Sequence, residues 1–143
     1  MIEAVSERER TWASSAHFTV LLNLIGAPVL GPIGALVMYQ MSTERGPFAR
    51  NEAREALNYQ ITYAIVSGLA FACAMYAWSS MFFGAMNGTL RGGAFPPGFA
   101  WFFGCIVVMM LVTLVTIVGG VAAGIRANGG TAVRYPFILR FVR

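Results

Sequence analysis

Few polar side chains in this chain of 143 residues sit where they could act together. Asn51, Glu55, Asn58 and Thr62 recur at spacings of four, three and four, which places them on one face of a helix. His17, the single histidine, and Asn23 are the polar groups of an earlier apolar region. Polar groups left unbonded in hydrocarbon are costly. These two are therefore expected to point inward, toward the stripe or toward exposed backbone near Pro28 and Pro32. Two readings of the six residues stand side by side. One is a polar vestibule open to the cytoplasm; the other, which we favour, is a set of interhelical hydrogen bonds that fix a bundle.

Catalysis has little support. There is one His, no Asp, no serine nucleophile motif and no pair of carboxylates within the apolar stretches. Cys73 and Cys105 lack metal-ligand spacing and read as buried small side chains. No enzyme, cofactor or metal site is expected, and a proton-coupled exporter would need a carboxylate deeper than Glu55.

The elements that must position these residues are dictated by two runs without Asp, Glu, Lys or Arg, residues 58–86 and 99–125. As helices each would extend roughly 40 Å, against a bilayer hydrocarbon core of about 30 Å. A chain that is 57% hydrophobic and only 11% charged cannot hide both inside a soluble core of this size. The expected fold is an all-α integral membrane protein, a compact bundle of two long transmembrane helices plus a first hydrophobic region broken by Gly and Pro. Three to four membrane helices result, at about 12–27, 31–41, 47–86 and 99–127, in one membrane-embedded domain over 12–143 that follows a charged segment, 1–11.

The first region, 12–41, is interrupted by Gly26, Pro28, Gly31 and Pro32, which disfavour a straight helix by several kcal/mol. It is either one kinked span or a pair of short helices that dips in and returns. Charge favours the pair. Arg45, Arg50, Arg54, Arg126, Arg134, Arg140 and Arg143 flank the long runs on one side, against Arg91 in the 87–98 connection. The positive-inside rule puts that side in the cytoplasm, and a returning pair adds Arg8 and Arg10 to it. The net charge of +4 is spread beside the spans and implies no nucleic-acid partner. A removable secretory signal is not expected from the mixed charges of the first ten residues.

Trp78, Phe82, Phe83, Phe95, Phe99, Trp101, Phe102 and Phe103 surround the 87–98 connection and suit an aromatic belt at the far interface. Small residues at four-residue spacing, Ala64, Gly68 and Ala72 in one span and Gly120 and Gly124 in the other, suit close helix packing, within one chain or between copies. Asn128, Gly129 and Gly130 read as a helix stop with Thr11 a candidate N-cap for the first helix. In the tail, 128–143, arginines alternate with aromatics. Arg126, Arg134, Tyr135 and Arg140 are candidates for contact with lipid headgroups or a protein partner, the tail lying on the membrane surface. A clasp of the tail onto 42–57, with arginines on Glu52 and Glu55, is the competing arrangement.

Four blocks carry a family resemblance: 10–17 (RTWASSAH), 31–39 (GPIGALVMY), 55–60 (EALNYQ), and 127–129 with 134–137 (ANG, RYPF). Together they resemble the bacterial relatives of the twenty-kilodalton subunit of the chloroplast inner-envelope translocon. The resemblance implies a multi-pass bacterial inner-membrane protein with both ends cytoplasmic and, remotely, a role related to translocation. The expected function is therefore that of a non-enzymatic subunit or accessory of a membrane complex. Its partners would be the lipid bilayer and other proteins or further copies. The alternative is a small transporter or channel-like protein that uses the polar vestibule.

Overall fold

The computed structural model describes residues 5–25, 29–88 and 97–142. Gly26 and Pro28 of the first break, Arg91 and Phe95 of the connection, and Arg143 lie outside the described residues. All regular structure among those described is helical: α1 (Glu7–Phe18), a 3-10 segment (Thr19–Leu24), α2 (Leu30–Met41), a short 3-10 turn (Ser42–Glu44), α3 (Pro47–Met86) and α4 (Pro97–Asn128).

The first helix starts earlier than Thr11. Glu9 N–H donates to Ser6 Oγ at 3.3 Å, and Ser6 N–H donates back to the Glu9 carboxylate at 3.2 Å. This reciprocal cap satisfies donors that a helix leaves orphaned at its start. Thr11 instead donates its hydroxyl to the Glu7 carbonyl.

Residues 7–25 and 29–41 pack against each other as two arms of a hairpin. Trp12 Nε1–H donates to the Met38 carbonyl at 3.4 Å, and the Arg45 guanidinium lies 4.5 Å over the Trp12 ring. The beginning of α1 therefore stands beside the end of α2. The 12 residues of α2 rise about 18 Å, short of the hydrocarbon thickness of about 30 Å.

The start of α2 has no side-chain cap of its own. Asn23 supplies one across the hairpin: its Oδ1 accepts from Gly31 N–H at 2.9 Å, while its Nδ2 donates to Gln60 Oε1 at 3.0 Å. A Cβ at Gly31 would clash with Asn23 Oδ1 and stand 2.6 Å from Gln60 Oε1. Only glycine permits this approach without moving those two side chains.

The chain divides into two compact units. The first comprises Met1–Ala64 and Leu114–Arg143, and its core is built from small residues: Ala13, Ala16, Ala35, Ala49, Ala53, Ala56 and Ala127 are buried. Gly120 and Gly124 complete it, since a Cβ at either would stand within 3 Å of Val20 or Phe18. α4 ends as expected of its sequence. Gly130, at φ +77, donates to the Ala127 carbonyl at 2.9 Å, and Thr131 N–H reaches the Arg126 carbonyl at 3.1 Å. These are the two bonds of a Schellman stop, with glycine at the left-handed position.

The second unit is Ile65–Thr113. Ala74, Ala77 and Cys105 are buried in it, while Leu69, Phe71, Val107, Met110 and Leu111 face outward. Trp78 packs on Phe102 at 5.5 Å, and Phe82, Phe83 and Trp101 stay more than half exposed. Within this unit Gly68 meets nothing within 4 Å and Ala72 is exposed; Ala64, in the first unit, is half-buried. Only 22% of the apolar window of α3 and 11% of that of α4 are buried in the protein. A core helix of a soluble domain is covered on most sides. These two are not, and they have the character of membrane spans.

Gly31→Ala is predicted to lower stability by about 1–3 kcal/mol, because it displaces two hydrogen-bonded amides, the buried Gln60 and the half-buried Asn23. Gly68→Ala meets open space and should leave stability unchanged or raise it by up to about 1 kcal/mol through helix propensity. Thermal unfolding of the purified protein in one detergent checks both, and only Gly31→Ala should lower the midpoint.

Candidate functional site

The polar residues of the first unit converge on the C-terminal tail. Glu52, fully buried, is the hub. Its Oε2 accepts from His17 Nε2 at 3.0 Å, and both its oxygens lie 3.2 Å from Val133 N–H. His17, 1% exposed, makes its other bond at Nδ1 to the Tyr135 hydroxyl, 2.9 Å. Burial, and then the neighbouring Tyr59, Glu52 and Glu55, hold the Tyr135 phenol well above its ordinary value of 10.0. The phenol thus keeps its proton and can donate to Nδ1. Nε2 then carries the imidazole hydrogen, the tautomer that satisfies every partner in the set.

Tyr135 is also stacked on Tyr59, with centroids 3.8 Å apart and planes 4° from parallel. The Tyr59 hydroxyl donates to the Thr116 carbonyl at 3.2 Å. A Cβ at Gly119 would stand 2.5 Å from that hydroxyl, so the glycine makes room for it.

Further along α3, Asn58 holds the tail as a strand neighbour would. Its Nδ2 donates to the Val142 carbonyl and its Oδ1 accepts from Val142 N–H, both at 2.9 Å. Thr62 Oγ1 accepts from Leu139 N–H at 3.0 Å. Glu55 Oε1 takes Arg140 Nε at 3.5 Å, a pair half-exposed on the arginine side and therefore a weak contribution to stability. The tail is thus held by one helix face, mainly through its own backbone N–H groups.

The six residues of the polar set do not share one lining. Glu55, Asn58 and Thr62 grip the tail, His17 bonds Glu52 and Tyr135, and Asn23 caps α2. Asn51 accepts a short hydrogen bond from Arg54 and faces a separate open cavity with Tyr39, Pro47 and Arg50. Among the four headgroup candidates, Arg126 and Arg134 are exposed, Tyr135 is buried, and Arg140 is on Glu55. Reading the residues alone gave Glu52 too small a part, as one possible partner of an arginine. Gln60 and Tyr59 were missed. The available signal was the pairing of a lone His with a carboxylate one turn before Glu55.

The two exposed apolar helices and the buried polar clasp define a helical, multi-span membrane protein. Among the described residues no group of three or more His, Cys, Asp or Glu could hold a metal ion. Residues 8–142 match the profile of the MamF/MmsF family, the magnetosome magnetite crystal formation proteins, and the chain belongs to that family. Neither a curated protein nor a solved structure matches it.

This corrects the resemblance to the bacterial relatives of the envelope-translocon subunit, since the match spans nearly the whole chain and is to a different family. The blocks that suggested it are packing residues. Trp12 ties the hairpin, Glu55 and Asn58 hold the tail, and Tyr135 stacks on Tyr59. Such residues close the bundle, and a likeness in them does not by itself carry function.

Two outcomes test the clasp. Glu52→Leu strands the His17 and Val133 donors in a buried site, at a cost of about 1–3 kcal/mol each, and should speed tryptic cleavage after Arg134 and Arg140. Alkali should act the same way. A phenol whose value is raised in the docked state favours docking at neutral pH and loses that advantage as pH climbs above about 10, where the released tail ionises first. Tail cleavage by an alkali-tolerant protease should rise over that range, and Tyr135→Phe should flatten the pH dependence.

Proposed function

We propose that this chain is a structural accessory of the membrane that surrounds a forming magnetite crystal, acting as part of a membrane assembly. The family match over residues 8–142 carries this reading. It is supported by how the buried polar groups are used: His17, Glu52, Asn58 and Gln60 are bonded to their neighbours, as in a fixed bundle.

In this reading α3 and α4 cross the bilayer, and the 7–41 hairpin enters it and returns. The N-terminus, the turn after α2 and the tail share the cytoplasmic face. Nine arginines on that side against Arg91 on the other favour this orientation. So do three contacts: the Glu9 carboxylate at Gly46, the Arg10 guanidinium at Gly130, and Arg140 on Glu55. The outward side of the clasped tail, with exposed Arg134, Phe137 and Phe141, is the partner surface.

Loss of the chain from a magnetite-forming bacterium should shift the size distribution of its crystals in electron micrographs, and the intact chain should restore it. An Arg134→Glu/Phe137→Ser variant should reach the membrane and unfold at the same temperature, yet fail to restore the crystals. Unaltered crystals on loss of the chain would contradict the proposal.

A further inference from the structure

The cavity beside Asn51 is not used by the clasp. Tyr39, Pro47, Arg50, Asn51 and Arg54 line an open space of about 280 Å³ between the end of α2 and the first two turns of α3. Its charge is unbalanced. Among the described residues the ion pairs are His17–Glu52 and Arg140–Glu55, so neither Arg50 nor Arg54 has a carboxylate partner. Arg54 is instead oriented by Asn51, which accepts from its Nη2. The nearby carboxylate of Glu52 is buried under His17 and Val133 and does not face this space.

We infer that this cavity binds the phosphate of an anionic membrane lipid, with Arg50 and Arg54 as its ligands and the Tyr39 hydroxyl as a further donor. Guanidinium groups match phosphate oxygens in geometry as well as charge. The first turn of a long helix adds a positive potential at Pro47. Size argues for a headgroup: ligand pockets typically run about 300–1,000 Å³, and this one, at about 280 Å³, falls just below that range. Depth argues for a lipid. Arg54 stands one turn, about 6 Å, before Asn58, where the uncharged run of α3 begins, so the cavity opens at headgroup level. The assignment depends on α3 crossing the bilayer and is independent of any role in crystal formation.

The test is native mass spectrometry of the full chain released from nanodiscs of equal phosphatidylglycerol and phosphatidylcholine. The intact chain should retain phosphatidylglycerol preferentially. Arg50→Gln/Arg54→Gln should weaken that retention roughly 25-fold, at about fivefold per arginine, while Arg126→Gln/Arg134→Gln keeps it. Should the double variant fail to fold, Arg50→Gln alone, at an exposed position, should show the fivefold loss. Added inorganic phosphate should compete with the retained lipid. Equal retention of both lipids by the intact chain, or equal loss in the two double variants, would overturn the inference. So would inorganic phosphate binding through Arg50 and Arg54 without lipid enrichment, which would assign the cavity to free phosphate.

Discussion

A carboxylate removed from water must be bonded on its polar atoms or it destabilises the fold by several kcal/mol. Glu52 is such a group, and its bonds join three separate parts of the chain. His17 arrives on α1, Val133 N–H on the tail, and Glu52 itself on α3. None of these segments can be withdrawn without stranding the others. The Ser6 cap, the alanine-lined core and the Schellman stop at Gly130 each deliver one of them to that point.

The same logic explains why a tail without regular secondary structure is ordered. Backbone donors in an irregular segment need partners, and α3 provides them at three levels, through Glu52, Asn58 and Thr62. What is left facing outward is a row of basic and aromatic side chains, Arg134, Phe137 and Phe141, at the edge of the bundle. The Glu52, Asn58 and Gln60 side chains of the interior thus serve cohesion, and chemistry for recognition is left on the surface. The uncompensated pair Arg50 and Arg54 belongs to that surface as well.

Much of this architecture was legible in the residues. An uncharged run longer than a bilayer is thick admits few interpretations, so the two long helices and the all-α class followed from 58–86 and 99–125 directly. Glu55, Asn58 and Thr62 were recognisable as one helix face because spacing alone defines a face. Their purpose was not, since their partners are main-chain N–H groups of the tail, which have no sequence signature. Asn51 fits the same spacing and turns elsewhere, because the tail at that level is met by Glu52. The family resemblance fails for a related reason: EALNYQ and RYPF contain residues that pack the bundle, and packing residues do not by themselves specify a role.

The most direct measurement is amide hydrogen exchange of the full chain in nanodiscs, read at individual tail residues. If Glu52, Asn58 and Thr62 bind the tail backbone, the amides of Val133, Leu139 and Val142 should exchange far more slowly than that of fully exposed Phe137. Exchange of all four at one rate would mean that the tail is not clasped, and the Glu52 hub would not be what holds this protein together.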